Sequence, residues 1–225
     1  MTDNELSKLY AARFPQQELA RKNEIWNVIV EDFLQRYVPE TGTVIDAACG
    51  YGEFINNIRA QKKIAIDLNE DASRYLQSDV EFRHGESGAV LTSLENTADI
   101  VFTSNFLEHL PDKNALNNFL NCVRQALKPQ GKYLILGPNL RYLPGEYWDF
   151  YDHTLGLSHF SLSEALNLSG FTVKYCVDKF LPYSTKGSLP THPMLVRMYL
   201  KTPIIWKILG KQFFIAAEKS KPQAA

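Results

Sequence analysis

The sequence predicts an α/β protein, a mostly parallel sheet with helices on both faces, and three observations carry that prediction. Short β-rich runs alternate with helix-like segments through the middle of the chain. The first of these runs leads into a small-residue turn and then a helix. The composition is that of a globule able to bury a core: 225 residues, 24 Lys+Arg against 25 Asp+Glu, and 45% hydrophobic residues. That length suits one domain with an elaboration. The near-neutral charge argues against disorder and against a basic coat for nucleic acid. Cys49, Cys122 and Cys176 stand far apart and form neither a zinc pattern nor a disulfide framework. The N-terminal residues lack a signal-peptide layout and no apolar run is long enough to span a membrane, so a cytoplasmic location is expected.

A leading helix over 17–37 comes first, because Leu19, Ile25, Trp26, Ile29, Val30, Phe33 and Leu34 recur at helical spacing before Pro39 and Gly42. Strands are then expected at 43–47, 64–67, 80–83, 100–103 and 133–136. The clearest helix covers 114–127, where Leu116, Phe119, Leu120, Val123 and Leu127 form one stripe ahead of Pro129 and Gly131. Ser161-Leu-Ser-Glu164 reads as a capping box opening a further helix that Gly170 stops. Two more strand-like runs, 171–180 and 211–217, close the pattern. The expected organisation is a helical cap over 1–42, a catalytic domain over 43–219 with an insertion at 182–210, and a frayed tail over 220–225.

The turn after the first strand, Asp46-Ala-Ala-Cys-Gly-Tyr-Gly52, brings backbone close to a ligand or simply makes a tight connection. Asp67 shifts the balance toward a ligand. It closes the second strand 21 positions after Asp46, where a carboxylate can take both hydroxyls of a ribose. A dinucleotide fits poorly, since Ile55 stands where close helix packing over a pyrophosphate needs a small residue. A phosphate loop fails as well, because no Lys or Arg occurs between Val44 and Ile58. A nucleoside cofactor without phosphates, carrying a cation beside acidic groups, leaves S-adenosylmethionine as the candidate.

These residues resemble the class I S-adenosylmethionine-dependent methyltransferases, over about Val44 to Lys219. The resemblance implies a Rossmann-like sheet of seven strands, mostly parallel with an antiparallel last strand. It makes Asp46, Ala48, Gly50 and Gly52 the cofactor turn, with Ala48 in the place of the first glycine, a mild departure provided its backbone angle is negative. Asp67 becomes the ribose acid and Leu68 the neighbour of the adenine. Glu86 and Ser87 fall in the element after the third strand, where Asp is commoner than Glu86. Asn105 and Phe106 fall beside the methionine part, with His109 just beyond.

On the acceptor side, the run Tyr142 to His153 is dense in aromatic and acidic residues and follows the fifth strand. His153 and Asp152 can supply a base for a hydroxyl acceptor, and His109 can stand at the cofactor's reactive end. Each histidine has an equally good reading as a structural hydrogen-bonding group. Carboxylates and histidines are scattered along the chain rather than spaced as ligands, so no metal is expected. From Lys179 to Lys211 there are six cations and no acid, Lys179, Lys186, Arg197, Lys201, Lys207 and Lys211, among many apolar residues. This segment suits a lid, a peripheral membrane contact or a cap on the sheet. The function expected is methyl transfer to a small-molecule or glycan/lipid-type acceptor, at a hydroxyl. The alternatives are a catalytically silent binding subunit of the same fold, or methylation of a protein or nucleic acid.

Overall fold

A computed structural model describes residues 16–183 and 192–221, with side chains from residue 20. Seven strands form one sheet: β1 (Thr43–Ala47), β2 (Lys62–Asp67), β3 (Val80–His84), β4 (Ala98–Ser104), β5 (Leu127–Pro138), β6 (Phe171–Val177) and β7 (Gln212–Lys219). Their order is β3-β2-β1-β4-β5-β7-β6. All neighbours are parallel except β7, which runs antiparallel to both β5 and β6. Strand order reverses between β1 and β4, so the crevice at their C-terminal ends is where an open α/β sheet takes its ligand.

Alternate residues of the central strands feed two cores, which explains why these strands read as nearly continuous apolar runs. Ile45, Ile64, Val101 and Ile135 join one core, closed by helices α4 (Lys113–Ala126) and α5 (His159–Leu168). Val44, Ala65, Ile100, Phe102 and Leu134 join the other, closed by α1 (Gln16–Asp32) and α2 (Glu53–Asn57) with the two insertion helices, α6 (Pro193–Leu200) and α7 (Pro203–Leu209). The remaining helix, α3 (Ser87–Thr92), follows β3 and buries Leu91 in the first core.

The α4 stripe buries as its spacing predicts, with Leu116, Phe119, Leu120 and Val123 all inside, and Asp112 caps the helix by accepting from Ala115 N at 2.8 Å. The opening of α5 differs from expectation by three residues. Ser158 is the cap, and Ser161 bonds back to the Ser158 backbone, so the box is Ser158 with Ser161 rather than Ser161 with Glu164. His159 and Leu162 thereby enter the core side of the helix. Gly170 ends it with φ 82°, a left-handed angle that favours glycine.

Insertion and N-terminal helix pack on each other. Arg197 Nε donates to Asp32 Oδ2 at 2.9 Å, with Glu31 Oε2 at 3.4 Å from its Nη2. Phe33 is 1% exposed and meets Phe180, Phe214, Trp206 and Tyr37 at ring-centroid distances of 4.2, 5.0, 5.8 and 5.7 Å. Three of the six cations of this segment are engaged within the fold. Arg197 ties the insertion to α1, Lys211 pairs with Glu146 at 2.6 Å, and Lys179 lies 4.4 Å above the Tyr142 ring. Lys201 and Lys207 are exposed, and Lys186 lies outside the described residues, as does most of the tail. Among the described residues, no helix is long and apolar enough to cross a membrane.

Candidate active site

Three of the five turn residues after β1 take left-handed angles: Ala48 φ 66°, Gly50 φ 55° and Gly52 φ 75°. Gly52 is required twice over, since a Cβ there would also come 2.5 Å from Leu76 Cδ2. Ala48 meets the opposite condition to the one that would make it a mild substitution. Its methyl sits at a positive φ, a conformation that costs about 1–2 kcal/mol for an L-residue. Ala48→Gly removes that cost while adding about 0.4–1 kcal/mol of unfolded-chain freedom. The expected outcome is a net gain of about 0.5–1 kcal/mol, read as a higher urea midpoint at unchanged slope. A lowered midpoint would count against a strained Ala48.

Asp67 braces this turn. Its Oδ2 accepts from Gly50 N at 2.8 Å and its Oδ1 from Asn69 N at 2.8 Å. Burial raises its pKa, and those backbone N–H groups pull it back down. Asp46, 3% exposed at the end of β1, is raised well above the usual carboxylate range by burial first and then by the Glu53 and Asp67 carboxylates. Two buried acids thus stand side by side at the switch point, a local field that favours a cation.

The other cofactor candidates lie along the same edge. Leu68 follows Asp67 and is 40% exposed, its carbonyl accepting from or facing His84 Nε2 at 2.9 Å. Glu86 is the N-cap of α3, its two carboxylate oxygens accepting from Gly88 N at 3.0 Å and Ala89 N at 2.7 Å, and Ser87 beside it is buried. Asn105, at φ 48°, donates from its backbone to Leu136 O at 2.9 Å. Phe106 packs edge-on against Phe119 at 5.0 Å.

Beyond β4 and β5 the acceptor-side residues come together. The carbonyl of Glu108 accepts from both Thr154 N and Leu155 N at 3.0 Å, so the loop after β5 is stitched to the turn after β4. Tyr147, fully buried, holds the loop's shape by donating its hydroxyl to Leu155 O at 2.6 Å and accepting from Leu157 N at 3.2 Å. His109 Nδ1 lies 3.0 Å from Asp152 O and 3.4 Å from Asp152 Oδ2. The His153 ring is 5.0 Å from each of the rings of His109, Tyr147 and Phe150. His109 and His153, separate in sequence, are neighbours here. The scatter along the chain that argued against a metal is undone by the fold.

His159 takes the structural role instead. Its Nδ1 faces Asn139 Nδ2 at 2.9 Å, Asn139 also donates to Asp178 O at 2.8 Å, and burial lowers the imidazole pKa. Sequence reasoning passed over Glu108. It is 3% exposed, and burial lifts its pKa to about 7, partly offset by the neighbouring His109. The signal was present in Leu107-Glu-His-Leu110, an acid held between residues that belong inside.

Residues 16–175 match a protein family described as "Methyltransferase domain". No curated protein matches the chain significantly in sequence. Among solved structures, the chain is similar to a SAM-dependent methyltransferase from Archaeoglobus fulgidus, with 22% identity and a TM-score of 0.64 over 88% of this chain and 94% of that one. It is also similar to a chain in the complex between the Haloferax volcanii Trm112 methyltransferase activator and a methyltransferase, with 15% identity and a TM-score of 0.66 over 94% of this chain and 97% of that one. A third is the S-adenosylmethionine-dependent methyltransferase of Mesorhizobium loti, with 16% identity and a TM-score of 0.58 over 82% and 95%. At these identities the likeness is one of fold.

Proposed function

Because the chain belongs to the class I S-adenosylmethionine-dependent methyltransferase family, we propose that it moves the methyl group of S-adenosylmethionine to a hydroxyl of a small-molecule or glycan/lipid-type acceptor. The observation that carries this reading is the row of candidates along one sheet edge. Glu86, Asp67, Asp46 with the glycine turn, and Asn105 lie at or just beyond the C-terminal ends of β3, β2, β1 and β4, which are consecutive neighbours. Such a row suits a ligand lying across the strand ends, with adenine toward β3, ribose at Asp67 and the sulfonium beside the Asp46 carboxylate. Asp152 and His153 follow β5, the next strand, and meet His109 after β4; this cluster is the side from which we take the acceptor to approach the methyl.

Methyl transfer is an in-line displacement, so most of the rate comes from placing the acceptor oxygen behind the methyl carbon. A hydroxyl must also lose its proton, and the histidine cluster is the group that would promote that loss. Support for a lipid-type acceptor comes from the exposed apolar residues Met194, Met198, Ile204 and Ile208 of the insertion helices, which also carry the exposed Lys201 and Lys207.

Calorimetry tests the cofactor half. S-adenosylmethionine and its demethylated product are expected to bind, NAD and ATP not, since the turn offers no charge to match phosphates. Asp67→Ala should weaken binding by about 1.5–3 kcal/mol, the range for losing hydrogen bonds to a charged group. An unchanged affinity would remove Asp67 from the ribose. Incubation with extracts and mass readout tests the transfer half, the expected product being an O-methyl compound. Cofactor binding with no methylated product would favour a silent binding subunit.

A further inference from the structure

The carboxylate and the two imidazoles at the acceptor side form a donor set that proton transfer alone does not require. Glu108, His109 and His153 each offer one ligand atom, and the three atoms lie within 4.8 Å of one another. Two ligands about 2.1 Å from one cation stand roughly 3.0–3.5 Å apart, so small side-chain rotations bring all three onto a common centre. Glu108 and His153 are nearly buried, at 3% and 8% exposure, whereas the His109 side chain is 29% exposed and leaves the set open on one side.

A second feature is independent of that spacing. His109 has its Nδ1 held by the Asp152 carbonyl at 3.0 Å, with the Asp152 carboxylate at 3.4 Å. A metal-ligating histidine characteristically gives its other ring N–H to a carbonyl or carboxylate, which fixes the tautomer and leaves the lone pair on the free nitrogen, here Nε2. The backbone of Glu108 is fixed as well, by the two amides of Thr154 and Leu155. These are the restraints of a preorganised ligand set.

We infer that Glu108, His109 and His153 hold one divalent first-row transition cation, with its remaining positions free for the acceptor hydroxyl and a neighbouring oxygen of the same acceptor. Two imidazoles and one carboxylate suit Mn, Fe, Co, Ni or Zn rather than Mg or Ca, which prefer oxygen ligands throughout. The role of the cation rests on the proposed hydroxyl acceptor; its binding does not. With the cation present, the acceptor O–H gives its proton to solvent at neutral pH, because a bound cation lowers the hydroxyl pKa. The oxygen's electron pair forms the bond to the methyl carbon, and the methyl–sulfur bond breaks with its pair on sulfur. The histidines are then ligands, not bases.

The test uses the full chain, freed of metal by a chelator and dialysed, and titrated with Co²⁺ by calorimetry and visible absorption. One Co²⁺ per chain is expected, with bands of imidazole and carboxylate ligation and no thiolate band from the free cysteines. His109→Ala and Glu108→Gln should each weaken binding at least about tenfold, and Mg²⁺ should bind at least about tenfold more weakly than Co²⁺. Binding of the demethylated cofactor, measured on the same samples, reports both folding and the cofactor reading. Its loss in wild type would fail that reading and leave the metal result standing. Should a variant not fold, proton spectra of wild type decide, since Co²⁺ must shift or broaden the ring signals of two histidines among the five. No saturable Co²⁺ binding, a thiolate band, equal affinity in both variants, or unmoved histidine signals would overturn the inference.

Discussion

Replacing His153 with alanine is expected to lower methyl-transfer turnover by about 10²- to 10⁴-fold, with affinity for S-adenosylmethionine close to that of wild type. The separation follows from position. His153 sits in the loop after β5, against His109, Tyr147 and Phe150, whereas the cofactor candidates follow β1 to β4. The imidazole is required whether it takes the acceptor's proton itself or holds a cation that releases it. A profile of turnover against added Co²⁺ separates the two roles, because a base is indifferent to the metal. Full turnover by the variant would leave positioning as the whole of catalysis and His153 as a loop residue.

Phe33→Ala is expected to cost about 3–5 kcal/mol of stability, the range for emptying a packed aromatic site. Phe33 lies where four aromatic rings converge, three of them from the insertion side and the last strand. Its removal leaves a cavity between α1 and the sheet that Phe180 and Trp206, themselves packed at 5.1 Å, have little room to fill. For a chain of this length that loss corresponds to a fall in melting temperature of roughly 6–20 °C. A fall of a degree or two would mean that the N-terminal helix contributes little to the folded core. The comparison also separates the reading of 1–42 as a distinct cap from one in which that helix is part of the domain.

What was legible in the sequence was local. Strand β1 was readable to the residue because its apolar run ends in a turn of small residues, and α4 because its stripe keeps one period between Asp112 and Pro129. Asp67 was legible because the distance between parallel neighbours β1 and β2 is set by one crossover. The capping box of α5 was misplaced for a definite reason. Serines stand at 158, 161 and 163, and Glu164 lies three residues beyond Ser161, so the commoner Ser-x-x-Glu pattern concealed a serine pair that works equally well. The angle at Ala48 depends on where Cys49 N finds its partner, Ile66 O at 2.9 Å on the next strand, and no local pattern encodes that. The grouping of Glu108, His109 and His153 was least legible of all. It depends on two backbone hydrogen bonds between segments joined only through α4 and β5.

The aromatic cluster around Phe33 also sets an order of events during synthesis. Its partners Phe180, Trp206 and Phe214 are added well over a hundred residues after it. At about 5–20 residues per second, roughly 10–35 s pass between addition of Phe33 and addition of Phe214. Throughout that time Phe33 lacks the full set of those three partners, although the helix before it can already meet Phe54 and Phe102, and the sheet's edge at β5 waits for β7 to arrive between it and β6. Until Phe214 is added, therefore, Phe33 stays without the full set of rings that bury it in the folded chain.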